Sequence, residues 1–206
     1  MYARSNTFQA TPDKIEALTA MCRDEVMPLV QGMDGCVGLS MLADPDTGRC
    51  IVTTAWATEE AMRASDHGVR DSRGRAAQLA GGEAEVAEWE IAVMHRAHES
   101  HQGACTRVLW SRGDPGRMQD TIDQWRMSML PQTEELPGFC SANLMVDRQS
   151  GRAALAVTYD SREAMMQAME QGRAMREEFA HAAGLEITDM AEFDLVLAHL
   201  RVPETV

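Results

Sequence analysis

Displaced by 103 positions, the 206-residue sequence meets itself. Gly35, Asp44, Gly48, Arg49, Glu60, Ala61 and Met62 fall on Gly138, Asp147, Gly151, Arg152, Glu163, Ala164 and Met165. Arg4, Pro12, Arg23 and Pro28 fall on Arg107, Pro115, Arg126 and Pro131, and Arg70 and Arg73 fall on Arg173 and Arg176. After one inserted residue, the segment from Val86 to Ile91 falls on that from Met190 to Leu195. A register held over a whole unit with one slip marks a tandem duplication. The chain then divides into a first unit, 1–96, a polar linker, 97–103, and a second unit, 104–206. Units this small bury proportionately little surface alone, so two that share a core are expected.

Each copy reads β-α-β-β-α-β. Tyr2 to Gln9 and Cys105 to Ser111 are the opening strands. Pro12 and Pro115 start helices behind the N-cap candidates Thr11 and Asp114. Ile15, Leu18, Cys22, Val26 and Leu29 keep helical spacing, as do Met118, Ile122, Trp125 and Met129 in the copy. Pro28 and Pro131 are expected to kink or end those helices. Asp44 to Gly48 and Asp147 to Gly151 read as hairpin loops between apolar strands. Thr58 and Ser161 cap second helices, and 86–94 and 190–200 close the units as strands. This is the ferredoxin-like plan, with helices on one sheet face only. The other face must be covered. The expected class is therefore α+β, with tandem ferredoxin-like units forming an intrachain dimeric α+β barrel.

Charge and cysteines narrow the partners. A formal net charge of −13 opposes phosphate backbones, so nucleic acid is not expected. No apolar run of ~18 residues exists, so no membrane span is expected, and Met1 to Ala10 lacks a secretory h-region. Five cysteines with no CxxC pair point to reduced thiols and a cytoplasmic setting. Sixteen methionines suit a flexible core or an adaptable pocket.

The segment from Ile51 to Trp56, followed by Ala-Thr-Glu-Glu-Ala-Met62, resembles the W-x-S/T-x-E-A signature of the antibiotic biosynthesis monooxygenase family. The segments from Met33 to Gly38 and from Leu136 to Cys140 are similar to that family's second-strand opening. The resemblance covers nearly the whole chain. It implies a pocket between helices and sheet in each half. It also implies monooxygenation of a small aromatic or quinone-type, polyketide-like molecule, with no metal and no organic cofactor. Two alternatives stay open: haem binding and degradation, and ligand binding without catalysis. A homodimer of the two-unit chain is compatible with all three.

The resemblance also supplies candidate residues. In haem-degrading relatives an Asn of the first strand, a Trp of the third and a His of the second helix surround the porphyrin. Asn6, Trp56 and His67 stand in those elements, although the His commonly falls at the places held here by Ser65 and Asp66. In cofactor-free oxygenation these three are the catalytic candidates, with Arg4, Tyr159 and Trp125 as substrate-binding candidates. Opposite Asn6, Trp56 and His67 the second copy carries Leu109, Tyr159 and Glu170. The first half is thus the expected site of chemistry, and Glu170 is expected to face solvent. His95, His98 and His101 at the seam have a spacing that could bring two imidazoles to a metal; a solvated linker is the simpler reading.

Overall fold

A computed structural model describes residues 1–200, Leu200 by its backbone alone. The expected end of the second unit at Val206 lies outside the described residues. The first copy runs β1 (Tyr2–Gln9), α1 (Ile15–Met21), α2 (Met27–Gln31), β2 (Cys36–Ala43), β3 (Arg49–Trp56), α3 (Glu59–Ala80) and β4 (Glu85–Arg96). The second runs β5 (Cys105–Arg112), α4 (Met118–Gln124), α5 (Leu130–Glu134), β6 (Phe139–Asp147), β7 (Arg152–Tyr159), α6 (Arg162–Gln171), α7 (Arg173–Ala183) and β8 (Glu186–Leu200).

The sheets are antiparallel. β1 pairs with β3, β3 with β2, and β2 with the end of β8. In the copy β5 pairs with β7, β7 with β6, and β6 with the end of β4. The hydrogen-bonded strand order is that of a closed barrel, β1-β3-β2-β8-β5-β7-β6-β4. The compact units do not coincide with the sequence copies. One comprises Met1–Trp89 and the end of β8 from Phe193 onward; the other comprises Glu90–Glu192. β4 therefore begins in the first unit and ends in the second, and β8 does the reverse.

Local chemistry explains most element boundaries. In the β2–β3 hairpin, Asp44 Oδ1 accepts from the amides of Asp46 and Thr47 at 2.9 and 3.3 Å. Gly48 takes φ +77°, and a Cβ there would stand 2.0 Å from the Ala10 carbonyl oxygen, so only glycine closes this turn. Asp147 and Gly151 repeat the arrangement. Thr58 and Ser161 cap α3 and α6, accepting from Ala61 N and Ala164 N at 3.1 Å each. Asp114 Oδ1 accepts from Gly116 N, whereas Thr11 makes no side-chain cap bond.

Of the two expected outcomes at the helix prolines, an end is not what the structure shows. Neither ends its helix. One wide π-type turn, Cys22–Val26 or Trp125–Met129, precedes each proline, and the helix resumes as α2 or α5. A proline lacks the N–H and its ring displaces the carbonyl four residues back. The wide turn, closed by Met27 N to Cys22 O and by Leu130 N to Trp125 O, takes up that displacement without breaking the helix.

Each unit has its own core on the helix-covered sheet face. Trp56, Leu18, Met41, Met62 and Val30 form the centre of the first. Trp125, Ile122, Tyr159, Met165 and Phe139 are the counterpart in the second. No helix among the described residues is long and apolar enough to cross a membrane.

Candidate functional site

The first unit does not assemble the expected constellation. Trp56 is fully buried in the core, and its Nε1–H donates to Thr54 Oγ1 at 3.1 Å. His67 lies on the exposed face of α3. It sits one helical position beyond Asp66, the residue that turns inward to the arginines, so its imidazole is carried round to solvent. Asn6 is half-buried on β1 with an unpartnered Oδ1. Glu170 is exposed, as expected.

Arg4 is held by internal partners. It is buried, with Nε and Nη2 donating to Glu88 Oε1 at 3.0 and 2.7 Å and Nη1 to Ser65 Oγ at 3.1 Å. Asp66 lies 3.9 Å from Arg4 and 3.0 Å from Arg73. The bond from Arg73, then that from Arg70 and the Arg4 charge, hold its carboxyl below the usual range against a burial effect that raises it. One carboxylate thus serves two internal arginines.

The second unit departs from this pattern at the same positions. A cavity of about 70 Å³ lies between the helix-side face of its sheet and α4, α7 and the wide turn. Trp125, Met118, Met129, Leu144, Phe179 and Arg176 are among its walls. The walls of this space differ between the copies. Ser111 lines the cavity where the first copy has Phe8, which is 3% exposed and packed into the first core. Trp125 and Phe179 wall it where the first copy has Cys22 and Ala76. Of the candidate residues, Trp125 reaches the cavity, while Tyr159 is a core neighbour.

The arginines are also rearranged. Arg107, the counterpart of Arg4, is 4% exposed and keeps a carboxylate, donating through Nη2 to Glu192 Oε1 at 3.0 Å and to the Met165 carbonyl at 3.1 Å. Its Nε and Nη1 have no partner. Arg176, the counterpart of Arg73, donates to the Met169 carbonyl at 3.1 Å. Those two acceptors are four residues apart on α6, about 6 Å along its axis. Met169 occupies the place of Asp66, and Ala168 that of Ser65. The second unit has therefore kept both cations and lost their shared anion. Burial, then the Arg107 charge, push the Arg176 guanidinium down. Burial pushes the Tyr159 hydroxyl up, against the pull of both arginine charges.

Gly172 makes room for this arrangement. It separates α6 from α7 where α3 runs unbroken through Val69. A Cβ there would stand 2.9 Å from Arg176 Nη1. Arg176 was legible as a repeated helix arginine able to meet an anion, whereas sequence reading missed Ser111 and Gly172. The signal was present in the aligned pairs Phe8/Ser111, Asp66/Met169 and Val69/Gly172, each a loss from the second copy.

Comparison with known proteins agrees with the fold. Residues 1–68 match the family model described as antibiotic biosynthesis monooxygenase. The protein Rv2557 of Mycobacterium tuberculosis strain H37Rv is 50% identical over 206 residues, covering 100% of this chain and 92% of that protein. Rv2558 of the same strain is 47% identical over 207 residues, covering 100% and 88%. Among solved structures, an anthrone oxidase-like protein superposes with a TM-score of 0.68 at 13% identity, covering 98% of this chain and 94% of the other.

Proposed function

Since the chain belongs to the antibiotic biosynthesis monooxygenase family, we propose that it oxygenates a small aromatic or quinone-type molecule in the cavity of its second unit, without a metal or organic cofactor. One observation carries this reading: an apolar cavity with Arg176 in its wall and Arg107 beside it, the first copy's Asp66 being replaced by Met169. A phenolic or enolisable ring that loses a proton becomes an anion able to reduce dioxygen itself. Two under-compensated guanidinium groups favour that anion, and apolar walls keep competing water away. For an anthrone-type ring the balance is simple. A ring CH₂ becomes C=O with one atom of dioxygen, and its two hydrogens leave with the other atom as water.

The cavity is smaller than the ~300–1,000 Å³ of most ligand pockets. Met118 and Met129 in its walls have three rotatable bonds each, so a ring enters as they repack. Trp125 then offers it a stacking face.

Anthrone with an oxygen electrode tests this. Oxygen uptake above the autoxidation rate is expected, with tenfold or greater loss in Arg176→Met, the loss of a charged hydrogen bond being worth about 1.5–3 kcal/mol. Ser111→Phe, which restores the residue of the first copy, should also block uptake while the circular dichroism spectrum stays unchanged. Uptake equal to the protein-free rate would reject the enzyme reading. Anthrone binding without uptake would favour the non-catalytic alternative, and a haemin Soret shift abolished by Asn6→Ala would favour the haem one.

A further inference from the structure

Away from that cavity, three metal-ligating side chains of the second unit converge on a carboxylate oxygen of a fourth. His98 and His101 lie in the segment between β4 and β5, Cys140 is on β6, and Asp160 follows β7. Cys140 Sγ donates to Asp160 Oδ1 at 3.2 Å. His101 Nε2 is 3.2 Å, and His98 Nε2 3.8 Å, from that same oxygen. The donor atoms of His98, Cys140 and Asp160 all lie within 4.8 Å of one another. His95, which the sequence spacing groups with the other two, faces Glu134 instead, at 3.1 Å.

The other ring nitrogens decide what this cluster is for. His98 Nδ1 is 3.1 Å from the Glu99 carbonyl oxygen, and His101 Nδ1 is 3.0 Å from that of Gln102. A carbonyl oxygen only accepts, so each Nδ1 carries its hydrogen. In a neutral imidazole Nε2 then presents a lone pair. Both lone pairs face a carboxylate oxygen, which also only accepts. At 3.2 Å the His101 lone pair and the carboxylate oxygen need a positive charge between them, supplied by a proton on that nitrogen or by a bound cation.

Distances and donor types favour the cation. In a tetrahedral zinc site, bonds of about 2.0 Å to nitrogen and oxygen and 2.3 Å to sulfur place neighbouring donors roughly 3.3–3.6 Å apart. The three separations to Asp160 Oδ1, 3.2, 3.2 and 3.8 Å, surround that value; His98, Cys140 and Asp160 form the mutual cluster, and His101 joins it through Asp160 Oδ1. Two imidazoles, a thiolate and a carboxylate form a borderline-soft set suited to zinc. Nδ1–H bonds to backbone carbonyls are the usual outer support of zinc-bound histidines. The fold itself does not require the cluster, because the first copy has Val37 and Ala57 where the second has Cys140 and Asp160.

We infer that His98, His101, Cys140 and Asp160 bind a divalent transition ion of the zinc type. The ion would fasten the segment between β4 and β5 to β6 and β7, and the Cys140 proton would pass to solvent on binding. It would be structural, and the inference is independent of the proposed oxygenation.

The test uses the full chain, reduced and dialysed against chelator, titrated with Zn²⁺ by calorimetry and with Co²⁺ by absorption. One equivalent should bind per chain, and cobalt should show a thiolate charge-transfer band and a tetrahedral visible spectrum. His101→Gln should weaken binding at least tenfold, and Cys140→Ser should remove the charge-transfer band. His95→Gln should leave both readouts unchanged. Zinc should raise the melting temperature of the parent chain and not that of His101→Gln, both keeping the same metal-free circular dichroism spectrum. The inference is overturned if zinc fails to bind at micromolar concentration. It is equally overturned if binding survives both His101→Gln and Cys140→Ser, or if NMR finds His98 and His101 doubly protonated at neutral pH in zinc-containing buffer.

Discussion

Replacing Trp56 by alanine separates packing from ligand contact at the residue that carries the family signature. The indole is 0% exposed, among Leu18, Met41 and Met62. A buried Trp removes roughly 200 Å² from water, worth about 5 kcal/mol at ~25 cal/mol/Å², an upper bound because unfolded chains are partly compact. The bond from Nε1–H to Thr54 Oγ1 is lost, but Thr54 keeps its own bond to the Arg4 carbonyl at 3.4 Å. No polar group is therefore orphaned, and a loss of about 4 kcal/mol is expected, within the range of Trp-to-Ala changes in cores. Urea denaturation followed by circular dichroism reads it as a lower midpoint at similar slope. The folded variant should still bind anthrone, because the cavity lies in the second unit. A loss below ~1.5 kcal/mol would refute the packing argument. Anthrone binding abolished in a fully folded variant would refute the location of the site.

Gly172→Val should reduce anthrone turnover about tenfold or more by displacing the Arg176 guanidinium, since its φ of −85° is open to any residue; unchanged kinetics would sever Arg176 from function. Asp66→Asn should cost about 1 kcal/mol at neutral pH, the Asp66 side chain being 35% exposed. Because the Asp66 carboxyl is held below its ordinary value, its contribution is present above the unfolded carboxylate range and is lost as pH falls through the folded one. Parent and variant urea midpoints should converge in acid, and a gap that persists there would contradict the assignment. Burial pushes the thiols of Cys22 and Cys50 up to about 12 and about 11, so iodoacetamide at pH 8 should leave both unmodified in the native chain and label them in urea, as mapped by mass spectrometry.

What could be read from the sequence was what nearby residues decide. The hairpins at Asp44 and Asp147 and the caps at Thr58 and Ser161 depend on contacts a few residues away, and the repeat gave each of them twice. The turns before Pro28 and Pro131 were not readable, because the same composition serves a kink or a wide turn and packing selects between them. The cavity was not legible for a related reason. The polar residues Asn6 and His67 are visible in the first copy alone, whereas the cavity of the second unit shows only in differences between the copies. Ser111 is informative only against Phe8, and Met169 only against Asp66. Tertiary packing turns the first difference into a cavity and the second into unshared charge.

The exchange of strand ends by β4 and β8 also bears on how such a chain can diverge. Neither sequence copy completes its sheet alone, so a chain cut at 97–103 would leave each fragment dependent on the other's final strand. An assembly of identical subunits meets that dependence by symmetry, and every substitution then appears in both halves at once. Joining the copies in one polypeptide removes the symmetry and keeps the dependence. One half can hold its core filled by Phe8 and its arginines neutralised by Asp66, while the other gives up both.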